Sequence, residues 1–157
     1  MFNLSELLGE DRVLLDLNAK DFGACVEHIA RHLAHCGLIS PGYGDSLVAA
    51  LQSRETLCPT NIGRGVVIPH AYLDGLDNTL GCFARLAEPF AYGQPDEEQV
   101  DLVLLITGPE REQRQHLQTL AHIVRLFHDD RLLAELRAAP TRRAALEAMR
   151  ETEGRHA

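Results

Sequence analysis

Lysine is nearly missing from this 157-residue sequence, in which Lys20 is the only one. The arginines are scattered, apart from a modest group towards the C-terminus, and the formal net charge is −8 at pH 7. Proteins that bind nucleic acid without specificity usually carry clustered lysine and arginine. The composition therefore argues against a nucleic-acid-binding surface.

Long apolar runs are absent as well. No stretch approaches the roughly 20 apolar residues that a helix needs to span a bilayer. The first residues, MFNLSELLGEDR, contain no basic region followed by an apolar core, so they do not resemble a signal peptide. We expect a cytoplasmic protein that is not inserted directly into a membrane.

Paired cysteine motifs are also lacking. None of the four cysteines has the Cys-x-x-Cys spacing that is typical of zinc ribbons and redox motifs. Cys25 and Cys36 fall on one predicted helix, about 16 Å apart along its axis, which is too far for a disulfide. We predict that they are small, buried apolar side chains.

What the sequence does contain is a regular succession of strand and helix patterns. The run VDLVLLI, residues 100–106, predicts an inner strand, because buried strands read as continuous apolar runs. Asn18 and Ser40 are candidate caps for the first two predicted helices. Apolar runs predict further strands at 13–17, 66–68 and 80–86, and helical periodicity predicts helices at 22–36, 41–54, 111–128, 131–138 and 141–149.

This order of elements favours an α/β fold, a single-domain sandwich with a central mixed β-sheet flanked by helices. The length fits one domain, and 45% hydrophobic with 24% charged residues is ordinary for such a domain. We expect the domain to span residues 1–150 and residues 151–157 to form a frayed tail.

The stretch NIGRGVVIPH, residues 61–70, is the strongest local signal. Gly63 and Gly65 allow backbone angles that other residues avoid, and the following β-branched run predicts a buried strand. Pro69 cannot donate to a sheet ladder, so the strand should stop there or lie at an edge. His70 is therefore predicted at a strand end, where α/β proteins commonly place their chemistry.

Two more residues join His70 in a candidate phosphate site. His116 is predicted early in the helix after the inner strand, and Arg54 shortly before the glycine loop. Helix starts and arginine side chains both favour bound anions. The alternative is one packed and one solvated histidine. The stripe His28, His32 and His35 could bind a metal, but a polar helix flank explains it better, because no carboxylate or cysteine completes a ligand set.

These residues also carry a family resemblance. The stretch LQSRETLCPTNIGRGVVIPH resembles the signature of the IIA domains of the fructose–mannitol class of the bacterial phosphoenolpyruvate-dependent phosphotransferase system. RLAEPF and the segment from the inner strand to HLQTLA continue the similarity, which spans roughly residues 4–149. The nitrogen-regulatory IIA proteins are the most similar subgroup.

The resemblance implies a phosphoryl carrier. His70 matches the histidine that accepts a phosphoryl group from a histidine-containing phosphocarrier protein (HPr- or NPr-like), His116 matches the second histidine of the site, and Arg54 matches its arginine. Thr60, Gly63 and Gly65 would support the phosphate loop. The family needs no metal or other cofactor, and its further partners are transporters or regulatory proteins. An oligomer is possible.

Several positions depart from the family pattern. Asn61 replaces a glycine, Val67 a small residue and Gly108 a larger apolar one, while Ala71 and Tyr72 replace a small-basic pair. Tyr72 could pack in the core or gate the site. Two functions remain open beside an unrelated metal-binding role. One is a phosphoryl carrier of the nitrogen-regulatory type, and the other is a regulatory module, not phosphorylated, that controls a transporter or an enzyme.

Overall fold

A computed structural model describes residues 3–93 and 98–156. The strands are β1 (Val13–Leu17), β2 (Asn61–Gly63), β3 (Val66–Val67), β4 (His70–Tyr72), β5 (Leu80–Tyr92) and β6 (Glu98–Gly108). The helices are α1 (Leu4–Leu7), α2 (Phe22–His35), α3 (Pro41–Leu57), α4 (Gln113–Leu126), α5 (Asp130–Ala138) and α6 (Arg142–Arg155), with 3-10 turns at Glu10–Arg12 and Glu110–Glu112.

The sheet is mixed, and β6 lies inside it. Its order is β1-β5-β6-β3-β2, and β4 pairs with β6 as well. Strand β5 runs antiparallel to β6, whereas β3 and β4 run parallel to it and follow one another along its other edge. The predicted mixed sheet and the inner strand at residues 100–106 are confirmed.

Separate helical layers cover the two faces of the sheet. Leu102, Leu104 and Ile106 of β6 pack with apolar residues of α4, α5 and α6. Val103 and Leu105 point the other way and pack against α2 and α3. This alternation follows from the two-residue period of a strand and leaves both faces of β6 buried. The predicted single-domain α/β sandwich is therefore confirmed.

The glycine-rich segment forms a hairpin rather than a loop. Asn61 pairs with Val67, and Gly63 with Val66, in an antiparallel arrangement. The connecting residues Gly63, Arg64 and Gly65 all have positive φ angles, 88°, 59° and 80°. Glycine supplies such angles without steric cost, which is why the chain can reverse here and return as β3.

Three smaller predictions were wrong. The cap of α2 is Asp21 and not Asn18, since its carboxylate accepts a hydrogen bond from the N–H of Ala24 at 2.8 Å. Cys25 is buried, and its burial raises the pKa of the thiol to about 12, but Cys36 lies exposed at the end of α2.

The expected frayed tail is helical as far as Arg155, because contacts with the rest of the domain hold the last turns of α6. Thr152 is fully buried. The Glu153 carboxylate accepts a hydrogen bond from the N–H of Leu4 and pairs with His122, both at 2.8 Å. Within residues 3–93 and 98–156, no helix is both long and apolar enough to cross a membrane.

Candidate functional site

His70 begins the short strand β4, immediately after Pro69. The prediction that the strand ends at this proline is half right, because β3 does stop at Val67 and pairing resumes at His70. Pro69 has no N–H, but its carbonyl accepts a hydrogen bond from the N–H of Ile106 at 2.9 Å. The chain therefore stays on the edge of β6 and holds the His70 backbone opposite Ile106.

One nitrogen of His70 is fixed by the backbone. Its Nδ1 lies 2.8 Å from the carbonyl oxygen of Ile68. Because a carbonyl oxygen can only accept, Nδ1 carries the proton and Nε2 of the neutral ring carries the lone pair. Burial lowers the pKa of His70 below the ordinary imidazole value, and the Arg54 charge lowers it further against the opposing effect of the Ile68 bond. The neutral ring is therefore favoured near pH 7.

Arg54 reaches Nε2 of His70 from the last turn of α3. One terminal guanidinium nitrogen lies 3.2 Å from Nε2. The side chain is exposed, so it can move aside and still face a group attached at Nε2. The structure thus brings together Arg54 and His70, which are 16 residues apart in the sequence.

Thr60 contributes to the position of Arg54 by holding the end of α3. Its hydroxyl donates to the Glu55 carboxylate, and its N–H lies 3.1 Å from the same group. The hydroxyl of Tyr92 donates to Glu55 as well. Burial raises the pKa of Glu55, and the hydrogen bonds from Thr60 oppose that rise. Thr60 is thus hydrogen-bonded to Glu55, the residue next to Arg54.

Gly63 and Gly65 lie in the turn of the β2–β3 hairpin. Val66 pairs with Leu102 and His70 with Ile106, so the hairpin lies four residues, about 13 Å, from His70 along the edge of β6. The N–H of Gly65 donates to the Glu98 carboxylate at 2.9 Å. These glycines shape the turn that directs β3 along β6.

His116 approaches the site from the first turns of α4, with Tyr72 against it. The centroid of the Tyr72 ring lies 4.2 Å from that of His116, in an edge-on arrangement, and 6.2 Å from that of His70. Both predicted histidines therefore neighbour one aromatic ring. His116 is only 1% exposed.

Tyr72 is half-buried, and its ring lies against His116. It occupies β4 opposite Gly108, and its hydroxyl is buried with no hydrogen-bond partner in the described part of the chain. Burial raises the pKa of this hydroxyl. The side chain thus takes the place of the family's basic residue without supplying a charge.

Sequence reasoning missed two polar neighbours of His116. The hydroxyl of Thr79 lies 2.7 Å from Nε2 of His116 and 3.2 and 3.3 Å from the two carboxylate oxygens of Glu112. Burial lowers the pKa of His116, the Glu112 charge opposes this, and His70 lowers it again. The signal that was available is Gly108, the unusual glycine against which Thr79 packs.

The other histidines lie apart from this site. His32 bonds through Nε2 to the carbonyl oxygen of Asp11 at 2.6 Å, and its ring lies 3.6 Å from the Cys36 sulfur. Across the described ranges, no group of three or more histidine, cysteine, aspartate and glutamate side chains is arranged to hold a metal ion. His128 contacts the carbonyl oxygen of Ile62.

Comparison with known proteins agrees with this geometry. The family model of the phosphoenolpyruvate-dependent sugar phosphotransferase system, EIIA 2, matches residues 6–152. A nitrogen regulatory protein of Bradyrhizobium diazoefficiens is 43% identical over 89 residues, 57% of this chain and 58% of that protein. The chain therefore matches less than two thirds of this relative's length.

Two solved structures share the fold. The nitrogen regulatory protein IIA-Ntr of Neisseria meningitidis aligns with a TM-score of 0.82 and 24% identity, over 92% of this chain and 97% of that one. The mannitol IIA enzyme of Escherichia coli, solved in complex with phosphorylated mannitol IIB, aligns with a TM-score of 0.76 and 21% identity, over 92% and 97%. With a family model that covers nearly its whole length, the chain belongs to the EIIA 2 family of the phosphoenolpyruvate-dependent sugar phosphotransferase system.

Proposed function

We propose that this protein is a phosphoryl carrier that accepts a phosphoryl group on Nε2 of His70 and signals through partners that distinguish its two states. The observation that carries the proposal is the pair of contacts at His70. Ile68 fixes the proton on Nδ1, and Arg54 stands 3.2 Å from the other nitrogen. Together they offer a neutral nucleophile beside a permanent positive charge.

The transfer step follows from these contacts. The lone pair on Nε2 of His70 attacks the phosphorus of a donor phosphohistidine, the new N–P bond forms, and the old N–P bond breaks in line. Its electron pair returns to the donor's imidazole, while the proton of His70 stays on Nδ1, hydrogen-bonded to the carbonyl oxygen of Ile68. Arg54 turns from Nε2 to the phosphoryl oxygens and stabilises their charge. His116 lies close enough for His70 to lower its pKa, but it is too covered to accept the group itself.

The donor in this proposal is a histidine-containing phosphocarrier protein. Mannitol IIA forms a complex with its phosphorylated partner IIB, which supports protein-to-protein transfer as a use of this fold. Two large apolar side chains, Leu57 and Leu117, are exposed at 84% and 68% in the described residues. Leu57 follows Arg54 by three residues and Leu117 follows His116, so both suit a docking rim around the site. A cytoplasmic location completes the proposal.

A second candidate function keeps the fold but not the chemistry. In it, the protein is a regulatory module that binds a transporter or an enzyme without being phosphorylated. The observation that favours it is Tyr72, which places an uncharged ring between the two histidines where the resemblance leads one to expect a basic side chain.

Donor phosphorylation followed by intact-mass measurement tests the carrier proposal. With phosphoenolpyruvate and the general phosphotransfer proteins, we expect a gain of about 80 Da, one phosphoryl group, that is labile in acid and stable in base. His70→Ala should abolish the gain, and His116→Ala should retain part of it. The exposed His35→Ala variant is the matched control and should be labelled like the wild type.

Failure of the wild type to accept the label from a verified donor would refute the carrier proposal and leave the regulatory module. Tyr72→Arg then separates two causes. Labelling gained in this variant would assign the loss to Tyr72, whereas no gain would assign it to Asn61, Val67 or a mismatched donor surface.

A further inference from the structure

We propose that Thr79 and Glu112 are positioning residues for His116, which hold its ring in one orientation with the proton on Nε2. The contact itself is independent of the carrier function, but its use in phosphoryl transfer rests on the function proposed above. Thr79 lies outside the stretches that carry the family resemblance, and Glu112, although it lies in the segment from the inner strand to HLQTLA, is given no role there.

The direction of the hydrogen bonds follows from the donors available. The hydroxyl of Thr79 has a single proton, and the ionised Glu112 carboxylate, 3.2 and 3.3 Å away, can only accept. The hydroxyl therefore donates to Glu112, and its oxygen is left to accept from Nε2 of His116 at 2.7 Å. A neutral His116 in this chain of bonds carries its proton on Nε2 and its lone pair on Nδ1.

The three residues are held by separate elements. Glu112 ends the 3-10 turn before α4 and lies one helical turn ahead of His116. Thr79 directly precedes β5 and is only 8% exposed. The Arg111 guanidinium binds the carbonyl oxygen of Asp77 at 2.6 Å, which ties the segment before β5 to the same turn. The bond between Thr79 and His116 thus joins two anchored backbones.

Gly108 makes this approach possible. A Cβ atom at Gly108 would lie 2.5 Å from the Thr79 hydroxyl oxygen and 3.0 Å from the Thr79 Cα, too close for either to stay in place. The contact with Thr79 therefore explains why a glycine replaces the larger apolar residue of the family pattern at this position. The missing side chain leaves the space that the Thr79 hydroxyl occupies.

The arrangement gives His116 a defined part in the transfer. When a negatively charged phosphoryl group resides on His70, its charge favours the imidazolium form of His116. Glu112 stabilises this cation through Thr79, because a hydrogen bond between a carboxylate and a hydroxyl strengthens the next bond in the chain. The neutral form is favoured again when the phosphoryl group leaves.

Imidazole nitrogen NMR of the unphosphorylated protein tests the positioning directly. In the wild type we expect His116 to be the Nε2–H tautomer alone. Thr79→Val keeps the shape and removes the hydroxyl, so it should give a mixture of tautomers, whereas Thr79→Ser should retain the wild-type signal. Gly108→Ala should displace Thr79 and act like Thr79→Val.

Transfer rates provide the second measurement. Loss of this bond should slow labelling of His70 on the order of tenfold in Thr79→Val, and Thr79→Ser should restore it. Glu112→Gln removes the charge but can still accept, so it should slow labelling while the tautomer stays fixed. Thr152→Val, which removes another buried hydroxyl in α6, and the exposed Glu110→Gln are the matched controls and should match the wild type.

The NMR result decides the proposal whether or not the protein is a carrier. A single Nε2–H tautomer that is lost in Thr79→Val and kept in Thr79→Ser supports it, even if no variant is labelled, in which case only the carrier function fails. An unchanged tautomer in Thr79→Val overturns it. So does a wild-type His116 with the proton on Nδ1, or normal labelling of a Thr79→Val protein.

Discussion

At the residue scale, the reactivity of His70 depends on a carbonyl only two residues earlier in the chain. The Ile68 oxygen holds the Nδ1 proton, and this leaves Nε2 to face Arg54. In solution, without such a bond, both tautomers of the side chain are populated. A short strand that resumes after a proline therefore determines which nitrogen can act as the nucleophile.

The first prediction concerns Arg54. Arg54→Ala should reduce the labelling rate of His70 by on the order of a hundredfold, because a strong donor to the transferring group is lost. It should also raise the pKa of His70, since the guanidinium charge helps to lower it. A stopped-time labelling assay and an NMR titration of His70 measure the two effects.

Arg150→Ala, an exposed arginine on α6, is the control for a general loss of charge. The role assigned to Arg54 would be disproved by a variant that labels at the wild-type rate and titrates at the wild-type pKa.

The second prediction concerns the buried hydroxyl of Tyr72. Because it has no partner in the described residues, its burial costs free energy that no hydrogen bond returns. Tyr72→Phe should therefore leave the free energy of unfolding within about 1 kcal/mol of the wild type, or raise it. Urea unfolding measures this. A loss well beyond that range would mean that the hydroxyl has a partner that the structure does not describe.

The sequence predicted His70, His116 and Arg54 as a group because strand ends, helix starts and a family motif all pointed to them. It could not predict Thr79 and Glu112. These two residues are 33 positions apart, and they meet only because β5 and α4 begin at the same edge of the fold. Their residue types are ordinary in a turn and in a helix start. Only the unusual glycine at position 108 indicated that a neighbouring residue occupies the space of a side chain there.

At the element scale, the β2–β3 hairpin sets the course of the strand that leads to His70. Gly65 is crowded as well as left-handed, since a Cβ there would lie 2.8 Å from the Asp101 carboxylate and 3.1 Å from the Gln99 carbonyl oxygen. Its φ of 80° adds strain for any other residue. Gly65 is thus needed for close packing against β6.

The third prediction compares two glycines with similar backbones. Gly37 has a φ of 75° and open space around its Cα, so Gly37→Ala should cost only the left-handed penalty, roughly 1–2 kcal/mol. Gly65→Ala should cost roughly 1–3 kcal/mol more, because the Asp101 and Arg137 side chains must move. Denaturant unfolding of both variants measures the difference, and equal losses would contradict the crowding at Gly65.

Element ends were the least predictable part of the fold. The last turn of α6 carries polar residues that suggest fraying, yet Thr152 is buried and the Glu153 carboxylate accepts a hydrogen bond from Leu4 at the other end of the chain. A contact between residues 149 positions apart leaves no periodic pattern in the sequence. The inner strand β6 was predictable for the opposite reason, since residues 102–106 are buried on both faces and are all apolar.

At the scale of the whole molecule, the site lies where the two helical layers meet one edge of the sheet. Arg54 comes from α3 on one side and His116 from α4 on the other, and β4 stands between them. Both histidines are therefore partly or fully withdrawn from water, which couples their protonation to the stability of the domain.

The fourth prediction follows from that coupling. Burial is the largest cause that lowers the pKa values of His70 and His116 below 6.5. Above pH 6.5 both rings are neutral in the folded and unfolded chains, so they add no pH dependence. As the pH falls through 6.5, the unfolded chain binds protons that the folded chain does not yet accept. The free energy of unfolding should then fall, with a slope of at most about 1.4 kcal/mol per pH unit for each histidine, until the lowered pKa values are passed.

Chemical unfolding at pH 7.5, 6.5 and 5.5 measures this slope. His70→Gln should flatten it by removing one of the two rings, whereas His35→Gln, an exposed histidine on α2, should not. Glu55 has the opposite effect on stability, because its pKa is raised in the folded state and its protonation therefore favours folding. Since its ordinary pKa is 4.5, this effect belongs to the acid side of the range from pH 7.5 to 5.5. If the free energy of unfolding instead stays constant or rises as the pH is lowered from 7.5 to 5.5, the two imidazoles are more hydrated than their packing against Tyr72 indicates.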